Sequence, residues 1–196
     1  MISVQTSFLK KLDDRAASER SYGKAGVLPT PFSAFGAYPC AASSSILELM
    51  DSLHHGHKLR RGRVSIQQQQ YLVTAVTRNR LPWFHETEAA RLLCRNFIAM
   101  ENIGAGESLC FVVMPDHFHW LLSLSGKYSL SQTVGMLKSQ TARAMGQSIW
   151  QRGFHDHALR EEEDRVQIAR YIVANPLRAG ITTSVRFYPY WNAVWL

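Results

Sequence analysis

The segment His117-Phe118-His119 carries two imidazole side chains that are two residues apart. Side chains of a β-strand alternate between its two faces, so a strand here would point both rings to one side. Their Cα atoms would then lie about 6–7 Å apart, which is close enough for both rings to bind one divalent ion. The spacing alone leaves open the alternative that the two histidines are solvated or hydrogen-bonded and bind no metal.

A second pair of reactive residue types lies near the end of a predicted helix. Tyr171 and Asn175 are four residues apart and therefore share one helix face. If that face meets the two histidines, the amide oxygen of Asn175 can complete a metal site with the Tyr171 hydroxyl beside it. A phenol has a pKa of about 10 and is a poor nucleophile at neutral pH, but it can attack a phosphodiester whose phosphate is polarised by a metal. The alternative is that Tyr171 packs in the core and Asn175 caps the helix before Pro176.

Two imidazoles and one amide oxygen would leave positions on the ion for phosphate oxygens and water. Such a site suits Mg²⁺ or Mn²⁺, although imidazole ligands generally favour softer metals. Tyr171 is the best nucleophile candidate among the tyrosines of residues 58–196, because a plausible metal ligand lies one helical turn away. Tyr71 lies in an apolar strand, Tyr128 precedes a helix, and Tyr188 and Tyr190 belong to an aromatic tail that is expected to pack on the domain.

The hydropathy pattern of residues 58–196 predicts the elements that would position these side chains. Apolar runs predict strands at 69–77, 109–114, 117–124 and 154–159, and helical spacing predicts helices at 86–101, 130–146 and 161–174. Four acidic residues begin the last helix and Pro176 ends it. The first six elements have the order of an α+β, ferredoxin-like split βαβ fold, an antiparallel sheet with two helices on one face. The last helix would then lie near the open face.

Composition and charge separate the chain of 196 residues into two parts. Residues 25–57 are rich in Ala, Ser, Gly and Pro, so 1–57 are predicted to be a poorly structured extension, whereas 58–196 predict one domain. The first part holds five basic and five acidic residues, so the whole net charge of +7 comes from the second. A basic domain attracts polyanions, of which nucleic acid is the commonest, although a basic surface can also serve solubility alone. The three cysteines have no paired spacing, which favours a reducing cytoplasm. No apolar run is long enough to predict a membrane-spanning helix.

Several basic and aromatic residues are candidates for contact with DNA. Arg60, Arg61 and Arg63 form a basic arm before the first strand, and Arg78 and Arg80 follow that strand at a rim. Trp150, Gln151 and Arg152 could stack on unpaired bases and hydrogen-bond to them. His157 shares a strand face with His155 and could face DNA or have a structural role. For each arginine the alternative is a solvated surface charge.

Several motifs of this chain resemble those of the REP-associated tyrosine transposases, a group of IS200-like, single-tyrosine HUH endonucleases. The segment 114–122 (MPDHFHWLL) is similar to their His-hydrophobic-His signature, and 171–180 (YIVANPLRAG) is similar to the end of their catalytic helix. The resemblance also includes 59–63 (LRRGR), 150–152 (WQR) with Phe154 and His157, and the tail 188–196 (YPYWNAVWL). It extends from about Lys58 to Leu196, and its motifs occur in the family's order and spacing.

The resemblance implies a metal-dependent enzyme that binds hairpin-forming repetitive extragenic palindrome (REP) DNA and cleaves and rejoins single-stranded DNA. Carried onto this sequence, it makes Tyr171 the nucleophile that forms a 5′-phosphotyrosine bond. His117, His119 and Asn175 would be the ligands of Mg²⁺ or Mn²⁺. It further implies a monomer that acts on DNA in the bacterial cytoplasm, associated with the nucleoid, without a membrane or an obligatory protein partner.

Two other function classes are compatible with the same residues. A DNA- or RNA-binding regulator with the same fold would need neither Tyr171 nor the histidine pair. A metal-dependent phosphohydrolase that uses water as its nucleophile would need the histidines but would tolerate loss of the tyrosine hydroxyl. A structural or oligomerisation protein is a further alternative, for which binding to DNA would lack the steep salt dependence of phosphate contacts.

Overall fold

A computed structural model describes residues 67–196, so the predictions for the extension 1–57 and for Arg60, Arg61 and Arg63 concern residues outside this range. In chain order the elements are β1 (Gln70–Val76), α1 (Thr87–Asn102), β2 (Gly106–Met114), β3 (His117–Leu124), α2 (Leu130–Ala144), β4 (His155–Ala158), α3 (Arg165–Val173), α4 (Asn175–Arg178) and β5 (Trp191–Ala193). Short 3₁₀ turns lie at Arg78–Arg80, Trp83–His85 and Val185–Phe187. No helix within residues 67–196 is long and apolar enough to cross a membrane.

The strands form one five-stranded sheet in the order β4-β1-β3-β2-β5, in which every neighbouring pair is antiparallel. The predicted α+β class is therefore confirmed, with the first six elements in the predicted order. Strand β5 was not predicted, because three residues in an aromatic tail show no readable alternation. The prediction that this tail packs on the domain is confirmed for Tyr188 and Tyr190, which are buried, whereas Trp195 near its end is exposed.

One face of the sheet carries the main hydrophobic core beneath α1. The ring of Phe97 on α1 contacts the rings of Phe111, Phe118 and Trp120, with ring centroids 4.5–5.3 Å apart. Phe118 and Trp120 are fully buried, as the alternation of β3 predicts. This packing fixes the register of β3, because a slip by one residue would exchange its aromatic and histidine faces.

Helix α3 lies on the opposite face of the sheet, where it contacts β2, β3 and β5. The thiol of Cys110 on β2 lies 3.8 Å from the carbonyl oxygen of Ala169 on α3. Cys110 alternates with Phe111, whose ring packs against α1, so α3 and α1 cover opposite faces. The last long helix thus lies on the face that the order of elements leaves open.

The start of α3 corrects the prediction of a helix over 161–174. The helix begins at Arg165, because the side chain of Asp164 accepts hydrogen bonds from the backbone N–H groups of Val166 and Gln167 and caps it. The acids at 161–163 precede the helix instead of forming its first turn. Pro176 does not end helical structure either, since it lies in the first turn of α4, where a proline is tolerated.

Candidate functional site

Strand β3 presents His117 and His119 on the same face of the sheet, as their spacing predicts. The centroids of the two rings are 4.9 Å apart, and the ring planes are inclined at 80°. Val112 of β2 pairs with His119, so these two side chains lie on the same face of the sheet. Its neighbour Phe111 points to the other face, where it packs against α1, and Cys110 points to the face where α3 lies. The histidine face is therefore the face that α3 covers. The two imidazoles and the helix that carries Tyr171 therefore belong to the same layer of the molecule.

The ring of His117 is held by a carboxylate in the tight turn between β2 and β3. Nδ1 of His117 donates a hydrogen bond to Oδ1 of Asp116 at 2.5 Å, and Arg80 donates to Oδ2 of the same carboxylate at 3.0 Å. Burial raises the pKa of Asp116, but the hydrogen bonds and charges of His117 and Arg80 outweigh it and hold that pKa below 3.8. With Nδ1 bonded to a carboxylate, Nε2 is the His117 nitrogen that could bind a metal.

The ring of His119 is held by a hydroxyl from the neighbouring strand. Thr74 lies directly opposite His119 in the β1–β3 register, and its Oγ1 is 2.8 Å from Nδ1 of the ring. Both side chains are buried, His119 to 6% exposure. Nδ1 of each histidine is thus engaged with an oxygen, and Nε2 is the candidate ligand atom in both rings. Nothing in the local sequence pointed to Thr74 or Asp116, because both contacts depend on strand pairing or on the conformation of a turn.

Asn175 lies at the junction of α3 and α4, and its side chain closes that junction. Nδ2 donates hydrogen bonds to the carbonyl oxygens of Tyr171 at 3.1 Å and Ile172 at 3.0 Å. The helix-capping alternative for Asn175 is therefore observed. Because carbonyl groups only accept hydrogen bonds, these contacts assign the amide nitrogen to the helix end and leave Oδ1 as the atom that could bind a metal.

Tyr171 is partly exposed, so the alternative that it packs in the core does not hold. The guanidinium carbon of Arg178, on α4, lies 3.9 Å from the centroid of the Tyr171 ring. Sequence reasoning did not single out Arg178, because a side-chain contact between residues seven apart is not evident from the sequence pattern.

Three other tyrosines, Tyr71, Tyr188 and Tyr190, are buried and have structural positions. Tyr71 is buried, as predicted, and the hydroxyl of Tyr188 donates to the carbonyl oxygen of Val113, while that of Tyr190 donates to Oγ1 of Thr87. Burial, with smaller contributions from Cys94 and Tyr190, raises the pKa of Tyr188 well above its ordinary value, which opposes a role as nucleophile. Tyr171 thus remains the best candidate among these residues.

A group of polar residues surrounds the end of β1 next to His117. Val76 pairs with His117, the N–H of Gln151 donates to the carbonyl oxygen of Val76, and the N–H of Arg78 donates to that of Ile149. The side chains exposed at this end of the sheet, here called the basic rim, are those of Arg78, Arg80, Gln151 and Arg152. The rim has the character of a surface for phosphate or base contacts, next to the candidate site.

Two of the predicted DNA contacts take a different place. Trp150 is only 6% exposed: its ring packs against Phe84 and Phe118, and Nε1 donates to the carbonyl oxygen of Lys138. A ring so enclosed cannot stack on an unpaired base, so the predicted stacking role of Trp150 does not fit the structure. His157 binds the carboxylate of Glu163 at 3.0 Å, which agrees with the structural role that the sequence left open.

The donor set fits a metal site that includes an amide. Among residues 67–196, no three or more His, Cys, Asp and Glu side chains form a group that could hold a metal ion. A site at His117 and His119 would therefore take a further ligand of another type, for which Oδ1 of Asn175, at the start of α4, is the candidate. Cys110 lies on the histidine face too, but burial raises the pKa of its thiol far above the ordinary value, so it stays protonated.

Comparison with known proteins gives one family and several relatives. The family model of IS200-like transposases matches residues 65–175. A REP-associated tyrosine transposase of Escherichia coli K12 is 33% identical over 82 residues, which cover 41% of this chain and 50% of that protein. A Haemophilus influenzae relative assigned to the same kind of transposase is 28% identical over 102 residues, covering 43% of this chain and 57% of its own. The chain thus spans about half the length of the curated relatives it matches.

A solved structure also resembles this chain. It shows a REP-associated tyrosine transposase bound to a REP hairpin, with a TM-score of 0.59 and 28% sequence identity. The match covers 66% of this chain and 79% of the chain in that structure. The likeness therefore includes most of the described domain, with its sheet and helices.

Proposed function

The chain belongs to the family of IS200-like transposases, and on that premise we propose that it cleaves and rejoins single-stranded DNA at hairpins of the REP type. The observation that carries the proposal is the pair of imidazoles on β3, each fixed through Nδ1, on the face covered by α3, the helix that also carries Tyr171. The solved relative bound to a REP hairpin supports the choice of DNA.

In this proposal Nε2 of His117, Nε2 of His119 and Oδ1 of Asn175 hold one divalent ion, Mg²⁺ or Mn²⁺. The fit rests on the donors: Asp116 and Thr74 occupy the Nδ1 atoms, and two backbone carbonyls occupy the amide nitrogen. When bound, the ion supplies polarisation of the scissile phosphate and partial neutralisation of its charge.

The chain's own residues supply the nucleophile. The phenolic oxygen of Tyr171 attacks the phosphorus, a bond between that oxygen and phosphorus forms, and the bond from phosphorus to the 3′ oxygen breaks. The phenol loses its proton, and the departing 3′ oxygen takes up one to become a 3′-OH. The 5′-phosphotyrosine bond keeps the free energy of the phosphoester, so attack by another 3′-OH can rejoin the strand without a nucleotide energy source.

The basic rim of Arg78, Arg80, Gln151 and Arg152 contacts the DNA next to the site. Arg80 also binds the carboxylate of Asp116, which holds His117. One guanidinium thus serves both phosphate binding and the orientation of the His117 ring. The arginines of the N-terminal arm, at 60, 61 and 63, reach further phosphates of the hairpin. The enzyme acts as a monomer on DNA of the nucleoid.

The test uses a labelled single-stranded REP-type hairpin with flanking sequence, incubated with the full chain and Mn²⁺ or Mg²⁺. A denaturing gel is expected to show a protein–DNA adduct that disappears with a chelator. Tyr171→Phe should abolish the adduct and keep hairpin affinity within about twofold, because the ring remains and only the nucleophile is lost. Tyr128→Phe, a hydroxyl deletion at a partly buried tyrosine before α2, is the matched control and should keep the adduct.

Three outcomes would contradict the proposal. An adduct that persists in Tyr171→Phe would place the nucleophile elsewhere. Cleavage without any adduct would indicate a phosphohydrolase that uses water, and salt-sensitive hairpin binding without cleavage would indicate a regulator that only binds DNA.

A further inference from the structure

We propose that Arg178 is a positioning residue that fixes the ring of Tyr171 for attack, an inference that rests on the proposed function. Its guanidinium lies over the face of the ring, with the carbon Cζ 3.9 Å from the ring centroid. A cation at this distance is attracted by the negative face of an aromatic ring, and the planar guanidinium can also stack on it. The contact therefore restrains the plane of the ring and the direction of its hydroxyl.

The contact joins two helices. α3 ends at Val173 and α4 begins at Asn175, so Tyr171 and Arg178 lie on either side of the junction. Residues seven apart in a continuous helix are about 10 Å apart along the axis. The long side chain of Arg178 spans the junction and places its guanidinium against the ring of Tyr171.

The junction itself is held by side-chain and backbone constraints. Nδ2 of Asn175 bonds to the carbonyl oxygens of Tyr171 and Ile172, and Pro176 restricts the backbone in the first turn of α4. Arg178 is therefore carried by a short helix whose orientation is tied to the residue it contacts. Such a contact limits rotation of the ring about its side-chain bonds, and a misplacement of about 1 Å costs a large factor in rate.

The experiment compares Arg178→Met, which keeps an unbranched apolar stem without charge, with Arg178→Lys, which keeps a cation. Adduct formation is measured in single turnovers at saturating hairpin. We expect Arg178→Met to lower the rate about tenfold and Arg178→Lys to recover most of that loss, since an ammonium also binds a ring face. Arg165→Met removes the same charge from an exposed position at the start of α3 and should leave the rate unchanged.

A binding measurement separates positioning from DNA contact. In the Tyr171→Phe background, which cannot form the adduct and keeps the aromatic face, Arg178→Met should change hairpin affinity by less than about twofold. A loss of affinity that matches the loss of rate would make Arg178 a DNA-binding residue and overturn the proposal.

A spectroscopic signature reports on the ring in the protein alone, without metal or DNA. In protein labelled with 3-fluorotyrosine, the ¹⁹F resonance of residue 171 is identified by its loss in Tyr171→Phe. Arg178→Met should shift this resonance and Arg165→Met should not. An unchanged resonance overturns the proposal, as does an unchanged single-turnover rate in Arg178→Met. If the wild-type chain forms no adduct at all, the proposed function fails as well, whereas an active wild type with an unaffected Arg178→Met defeats this inference only.

Discussion

Each histidine of the candidate site is oriented by a residue of a different origin. Asp116 is the neighbour of His117 in the chain, whereas Thr74 meets His119 across two strands. A carboxylate or hydroxyl at Nδ1 fixes both the tautomer and the rotation of a ligand imidazole, and loss of such a group typically weakens metal binding by about 10- to 100-fold. The orientation of the two imidazole rings is thus determined by the oxygens of Asp116 and Thr74.

Thr74→Val tests this at the residue scale. Valine has the shape of threonine but removes the hydroxyl, so Nδ1 of His119 would lose its fixed partner in a buried place. We expect Mn²⁺ affinity, measured by titration calorimetry or electron paramagnetic resonance, to fall about tenfold. Thr133→Val is the matched control, because Thr133 is also buried but bonds to the carbonyl oxygen of Ser129 within α2. Equal metal affinity in the wild type and Thr74→Val would contradict the role given to Thr74.

The residues of the candidate site differ in how far the sequence could predict them. The common face of His117 and His119 follows from strand alternation alone, and Tyr171 and Asn175 are related by helical spacing. The role of Thr74 depends on strand register, and that of Arg178 on a contact between the side chains of two successive helices. Neither of these is encoded in a local pattern, so they required the structure.

At the scale of elements, β4 is tied to the start of the helix that carries Tyr171. His157 of β4 binds Glu163, and the same carboxylate accepts a hydrogen bond from the backbone N–H of Arg160 in the connecting turn. Burial raises the pKa of Glu163, but the hydrogen bond from Arg160 and the bond and charge of His157 outweigh it and hold that pKa below 4.5. The connection therefore favours the ionised carboxylate.

Glu163→Gln should reveal this connection through its pH dependence. Because the folded state lowers the pKa of Glu163, the carboxylate contributes stability above pH 4.5 and loses that contribution as the pH falls through the lowered value. We expect the variant to melt about 2–4 °C below the wild type at pH 7, since a partly exposed pair contributes at most about 1 kcal/mol. The difference should shrink towards zero near pH 3.

Thermal unfolding followed by circular dichroism at the two pH values checks this expectation. Glu162→Gln is the control, because Glu162 is an exposed carboxylate one residue away. A difference of the same size at both pH values would show that the carboxylate's charge is not what holds the turn.

Elements were predictable where one face of a long segment is apolar. The bounds of β3 agree with the predicted 117–124, because histidine and aromatic residues alternate over its first half and mostly apolar residues continue it to Leu124. The start of α3 was misplaced because charge near a helix end and a capping side chain give similar sequence signals, and only Asp164 forms the cap. β5 was missed because its pairing with β2 is a tertiary contact of three residues.

Across the whole molecule, the basic charges of the rim lie at the end of the sheet that holds His117. Arg78 and Arg152 are exposed there, and Arg80 is 61% exposed while it contacts Asp116. A formal charge of +7 attracts DNA from any direction, but a localised rim also orients it. Phosphates bound at the rim would lie at the same edge of the sheet as the proposed chemistry.

The double variant Arg78→Gln/Arg152→Gln tests the orienting role of the rim. Each lost phosphate contact should lower the slope of log affinity against log salt by about one, so the slope should fall by about two and the affinity by about tenfold or more. Hairpin binding is measured between about 50 and 200 mM salt in the Tyr171→Phe background, where no adduct forms.

Arg95→Gln serves as the control for that measurement. Arg95 lies on α1, which covers the face of the sheet opposite to the two histidines, and its guanidinium is 3.8 Å from Glu88. Its replacement should leave the slope unchanged. A uniform effect of all three substitutions would indicate attraction by net charge rather than a defined DNA path.

The two ends of the Asn175 amide have a joint consequence. Its nitrogen ties α3 to α4, and in the proposed site its oxygen meets the ion, so ion uptake and the stiffness of the helix junction are thermodynamically linked. Reciprocity then requires that a change which rigidifies the helix junction also raises the affinity for the ion. Removal of the ion would in turn make the junction, and the Tyr171 ring that it positions, more mobile. Through the amide of Asn175, ion binding and the positions of the two helices would then change together.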